Sequence, residues 1–167
     1  MAACFLFMWV SGHVMRNWMT HDSPLQETVY DLHKSVGVTL LGLLIIRLFA
    51  RSLTGAPALP AAIAQTERQA AKLGHYTLYV LIVLGLVTGW ALTDFGGHGV
   101  VWFGVPMPQL FPIRETLFGV RLDPLTSDIH AWIVYALLAL ATVHVAAVFK
   151  HKIKGRRRSS AAHRPMA

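Results

Sequence analysis

Three stretches of this chain, residues 29–49, 73–93 and 129–149, each supply about the 20 apolar residues that a membrane-spanning helix requires. No other feature limits the fold so strongly. Inside hydrocarbon every backbone N–H and C=O must find its partner within the protein, and a continuous apolar run of this length does so as a helix. A shorter apolar stretch, MAACFLFMWVSGHVM at residues 1–15, precedes them. It lacks the positive start and the cleavage site of a secretory signal. It reads as the rear part of a spanning helix whose front is missing, with a non-spanning start as the alternative. The expected fold is an all-α membrane protein: a four-helix transmembrane up-and-down bundle with its first helix shortened.

Composition agrees. Hydrophobic residues make up 54% of the chain and charged residues 14%, against roughly 25% charged in a soluble domain. Mean hydropathy is +0.50. The net charge of +7 would suggest nucleic acid in a soluble protein. Here the basic residues lie between and after apolar runs, so membrane topology accounts for them and no nucleic-acid partner is expected. The single cysteine, Cys4, excludes an intrachain disulfide, a CxxC motif and a thiolate metal site.

Lys and Arg set the orientation. Arg47, Arg51, Arg68 and Lys72 flank the second connection, and Lys150, Lys152, Lys154, Arg156, Arg157, Arg158 and Arg164 follow the last apolar run. Both regions are therefore expected in the cytoplasm, with the first and third connections outside. The expected organisation is a transmembrane domain over 1–151 and a basic, disordered cytoplasmic tail over 152–167, which touches anionic membrane lipid. The third connection is rich in Gly, Pro and aromatics and reads as a structured cap at the outer interface.

Polar side chains inside a spanning helix are costly, so they are functional candidates. Of nine histidines, His13, His21, His98, His151 and His163 fall in connections or the tail and read as solvated. His33, His75, His130 and His144 fall within or at the ends of apolar helices. His33 and His130 should lie at similar depth near the outer face, since segments two and four run in the same direction. A haem iron takes axial ligands from opposite sides, and imidazole is a common one. His144 follows His130 by 14 residues, about 21 Å along a helix and about 40° away in azimuth. One helix can thus serve two sites stacked across the bilayer.

Hydrogen-bonded core histidines are the bland alternative. Zinc needs three or four convergent ligands, which a separation of about 21 Å precludes, and a histidine proton relay lacks the usual carboxylates. Gly37, Gly42, Gly85 and Gly89 would admit a flat macrocycle or, equally, close helix packing. Arg47 and Arg51 suit haem propionates, but positive-inside anchoring also explains them.

These residues resemble a known pattern. DLHKSVG and LLIIRLFAR, then KLGHYTLYVLIVLGLVTGW, VVWFGVPMP and DIHAWIVYALLALATVHVAAVFKH follow one another as in the bacterial cytochrome b561 family of four-helix, di-haem membrane cytochromes. The resemblance covers the chain apart from its tail. It implies haem b, held by histidines from helices one, two and four. His33 and His130 match one ligand pair and His144 matches half of the other. His75 matches a helix-three histidine near the second haem or a quinone. The family's remaining ligand, near the start of helix one, would fall just before Met1, so the resemblance implies an amino terminus cut short. His13 is no substitute, because it falls at the opposite end of helix one from the depth of His144.

The resemblance further implies a quinone-linked electron-transfer protein of the bacterial inner membrane, with superoxide oxidised at one end and ubiquinone reduced at the other. A haem-bearing anchor subunit that relays electrons for a soluble dehydrogenase or hydrogenase is the alternative, with a redox partner protein. A haem-free transporter fragment or structural bundle is the third reading.

Overall fold

Ser23 caps the helix that begins at Pro24. Its side chain accepts from Gln26 N–H at 3.2 Å, and Pro24 occupies the first helical position, where its missing N–H costs nothing. The helix ends at Gly55, whose φ of 71° lies in the left-handed region that glycine tolerates. The computed structural model describes residues 1–20, 23–55, 65–114 and 116–162. His21, His163 and the connection at 56–64 lie outside the described residues.

The elements are α1 (Ala2–Asn17), α2 (Pro24–Thr54), α3 (Gln65–Phe95), β1 (Val101–Trp102), β2 (Val105–Pro106), β3 (Thr116–Leu117), β4 (Val120–Arg121) and α4 (Leu122–Ala162). Among the described residues, three helical stretches are long and apolar enough to cross a membrane: Pro24–Thr54, Gln65–Phe95 and Pro124–Lys150. The 16 residues of α1 span about 24 Å, short of a hydrocarbon thickness of roughly 30 Å. The structure is thus a helical membrane protein with three long helices and a shorter fourth. Each long helix extends beyond the apolar run that marks it in the sequence, because its polar ends continue the same hydrogen-bonding ladder into the interface. At the other end of the chain α4 continues to Ala162, past the position 152 at which the sequence reading begins a separate disordered tail.

The expectation of a purely helical chain needs one correction. The third connection holds two antiparallel hairpins, β1–β2 and β3–β4. Their turns are Phe103-Gly104 and Phe118-Gly119, with all four residues at positive φ (47°, 86°, 50° and 79°). Two consecutive left-handed residues make the tight turn whose twist matches paired strands. Glycine accepts this conformation freely, whereas phenylalanine does not.

Packing follows the chain: α1 lies along α2, α3 lies along α4, and β1 rests on α2. Leu40 and Leu44 form the fully buried centre. Little else is apolar and buried, and no residue in the most apolar stretch of α4 is. Such a surface suits lipid, which is as apolar as leucine and leaves helix association to close packing and hydrogen bonds.

Those hydrogen bonds gather at the hairpin end. Gln26 Nε2 donates to Met15 O at 3.1 Å and joins α2 to α1. Arg16 Nη2 pairs with Asp128 Oδ1 at 2.7 Å and joins α1 to α4. Ser35 Oγ donates to Asp31 O at 2.7 Å and accepts from Phe103 N–H at 2.9 Å. One turn along, Trp102 Nε1 donates to Thr39 Oγ1 at 3.1 Å. The first hairpin is thereby fastened to α2. Asp94, fully buried at the end of α3, accepts from Leu110 N–H at 2.8 Å and Phe111 N–H at 3.0 Å through Oδ2. That carboxylate holds the strand-to-loop passage after β2.

Candidate haem site

Two imidazoles face each other inside this end of the bundle. His33 projects from α2 and His130 from α4, with ring centres 6.5 Å apart and planes at 77°. Metal–imidazole bonds are about 2 Å long, so two rings bound in line to one metal have centres roughly 6 to 6.5 Å apart. The pair therefore fits a single ion coordinated from both sides.

Around it lies a cavity of about 720 Å³, with His33, Gly37, Gly89, Trp90, His98 and His130 on its walls. Its size falls within the roughly 300–1,000 Å³ of pockets for sizeable organic ligands. A bare ion needs far less. Among the described residues no group of three or more His, Cys, Asp or Glu side chains could hold a metal. Two facing imidazoles beside a cavity of this size fit a haem, whose macrocycle would supply the remaining nitrogens.

Polar groups on the cavity wall fit the edge of such a macrocycle. Trp90 Nε1 is buried and has no acceptor among the described residues. Lys34 also lines the cavity and pairs with Asp31 at 2.8 Å. Both are donors that could serve the propionates of a bound haem.

Each imidazole has its own support. His33 Nδ1 lies 2.9 Å from Ser11 Oγ on α1. His130 Nδ1 lies 3.1 Å from Thr88 Oγ1 on α3. A Cβ at Gly12 would sit 3.3 Å from His33 Cε1, and one at Gly89 would sit 3.1 Å from His130 Cε1. Glycine at these two positions is what lets each ring edge come this close to the neighbouring helix.

The other intramembrane pair differs. His75 on α3 and His144 on α4 meet edge to face with ring centres 5.0 Å apart. That is below the separation that in-line coordination of one metal by both requires, so this pair as it stands does not fit an ion between its rings. Nearby on α2, Arg47 Nε donates to Tyr79 OH at 3.1 Å.

All four histidines singled out in the sequence thus come together in twos, one pair near the start of α4 and the other near its middle. The sequence reading missed Ser11, Gly12 and Thr88. The available signal was a hydroxyl residue followed by glycine in an otherwise apolar run. Of the glycines that reading did name, Gly89 faces an imidazole, Gly37 and Gly85 face Met8 and Ile133, and Gly42 has open space beside it. His98, read as solvated, is exposed and also borders the cavity. His13 stacks on Trp9 with ring centres 6.0 Å apart and stays on its own helix.

Fold and site together define a helical membrane protein with a cavity bordered by two facing imidazoles. The chain belongs to the prokaryotic cytochrome b561 family, whose profile matches residues 1–162. It is 28% identical over 123 residues to a protein named cytochrome b561 homolog 2 of Escherichia coli (strain K12), covering 72% of this chain. The aligned part spans 62% of that relative's length.

Proposed function

We propose that His33 and His130 are the axial ligands of a haem b, and that the chain is a quinone-linked electron carrier of the bacterial inner membrane. The observation that carries this reading is the 6.5 Å separation of the two rings across a cavity that also contains donors for propionates. When bound, haem b supplies a one-electron couple. The protein's own part is to hold both imidazoles opposed, exclude water through the apolar bundle and fix the hairpin cap over the cavity.

His144 belongs to a second site near the middle of α4, with His75 beside it. The excess of Lys and Arg in the second connection and tail supports a cytoplasmic carboxyl terminus, with the tail against anionic lipid. The His33–His130 site then lies near the periplasmic face. Two superoxide ions give up two electrons there and leave as dioxygen. Two protons and those electrons convert one ubiquinone to its quinol. The family resemblance supports this pairing of donor and acceptor.

The test uses the purified protein with enzymatically generated superoxide and a soluble ubiquinone analogue. Quinone reduction should follow superoxide supply and vanish in His130→Ala. A b-type spectrum without quinone reduction would overturn the quinone linkage. Co-purification of a catalytic dehydrogenase or hydrogenase subunit would instead support the anchor role.

A further inference from the structure

One arrangement occurs twice around the facing rings. On α1, Ser11 is followed by Gly12, and on α3, Thr88 is followed by Gly89. Each hydroxyl lies 2.7 Å from the carbonyl four residues back: Ser11 Oγ from Phe7 O, and Thr88 Oγ1 from Leu84 O. Each also approaches the carbonyl three residues back, Met8 O at 3.3 Å and Gly85 O at 3.2 Å. A hydroxyl has a single hydrogen to give. At 2.7 Å two oxygens repel unless a hydrogen lies between them, so that hydrogen is committed to the helix carbonyl. The oxygen can then only accept from the histidine.

With the hydroxyl hydrogens so placed, the arrangement calls for the Nδ1–H tautomer at both rings: His33 Nδ1–H then donates to Ser11 Oγ, and His130 Nδ1–H to Thr88 Oγ1 beside the Gly85 carbonyl. Each Nε2 keeps its lone pair. The glycine one residue further on meets Cε1 of the same ring, at 3.3 Å for Gly12 and 3.1 Å for Gly89 measured from the Cβ it lacks. Hydroxyl and glycine thus hold one ring edge at two adjacent atoms.

We propose that Ser11-Gly12 and Thr88-Gly89 are a duplicated imidazole cradle, and that its two hydroxyls are positioning residues that set the reduction potential of the haem. This rests on the reading that His33 and His130 bind iron through Nε2. An acceptor on Nδ1–H raises the basicity of the ring as a ligand. A more basic ligand favours the ferric state and lowers the potential. Because the acceptor is a neutral hydroxyl rather than a carboxylate, its pull is moderate. It is also adjustable, since its own hydrogen is shared between two carbonyls.

The experiment compares Ser11→Ala, Thr88→Val, their combination and Thr88→Ser in the full chain. It measures haem per protein, haem dissociation, midpoint potential and the iron–imidazole stretching band. Thr88→Val keeps the shape of threonine without its hydroxyl. Removing either hydroxyl should raise the midpoint potential, lower the stretching frequency and weaken haem retention about tenfold. Thr88→Ser should restore all three. An unchanged or lowered midpoint in both single variants, or a Thr88→Ser protein that behaves like Thr88→Val, would overturn the proposal. A variant that fails to accumulate leaves the other hydroxyl to be read from the opposite side of the same iron. Parent protein that binds no haem would overturn the ligand assignment itself, a different result from haem bound at an unshifted potential.

Discussion

His75 on α3 and His144 on α4 touch edge to face with their ring centres 5.0 Å apart, whereas His33 and His130 stand 6.5 Å apart. The same helix thus presents one histidine across a gap of metal-binding width and another in direct contact. From this contrast we expect about one haem per chain, held at the His33–His130 end. Haem-to-protein ratios on the purified chain check it, and a ratio of two would require the 5.0 Å pair to open or another ligand to take part.

The ligand pair makes a sharper statement. His33→Ala and His130→Ala should each abolish the same haem signal in the reduced-minus-oxidised spectrum, while His144→Ala leaves it in place. Retention of the full signal in either of the first two variants would show that the pairing is wrong.

Gly89→Ala tests the close approach directly. The added methyl would lie 3.1 Å from His130 Cε1 and 3.4 Å from Nδ1. A ring displaced by such overpacking costs about 1–3 kcal/mol. Haem should be lost from Gly89→Ala at a lower temperature than from the parent. Gly42→Ala, with nothing within 4 Å of the added atom, should melt like the parent in the same scan.

Asp94 carries the cap. Replacing it with alanine leaves the N–H groups of Leu110 and Phe111 without their acceptor, at a cost of about 1–3 kcal/mol. Asn keeps one carbonyl oxygen for them and should cost less. Thermal unfolding of Asp94→Ala and Asp94→Asn reads the difference, and equal midpoints would show that the two hydrogen bonds contribute little.

By contrast, Arg16→Ala should change stability by no more than about 1 kcal/mol. Its 2.7 Å bridge to Asp128 joins side chains that are 48% and 62% exposed. A loss of several kcal/mol in chemical denaturation would mean that α1 is held to α4 by this contact alone.

Much of this architecture was legible in the sequence because hydrocarbon imposes long apolar runs, and histidines stand out within them. The pairing of His33 with His130 followed from depth alone, given the direction of α2 and α4. The hairpins were not legible, since Phe-Gly is an unusual pair for a two-residue turn and strands of two residues leave no alternation to read. Ser11 and Thr88 were hidden for a different reason. A hydroxyl in an apolar helix satisfies itself on its own backbone, so nothing in the local pattern shows that its oxygen also serves a ring on another helix. The contact of His75 with His144 depends on side-chain direction between α3 and α4, which spacing along one helix does not determine.

The pairing of α1 with α2 and of α3 with α4 has a consequence for how the protein is made. Each helical hairpin delivers one imidazole already seated in its own cradle, yet neither hairpin alone has a place for iron. Cofactor loading and the joining of the two halves are therefore a single equilibrium: haem supply during biogenesis stabilises the joined form by mass action. Chains starved of haem should unfold at a lower denaturant concentration than loaded chains, and the difference should grow with the haem supplied.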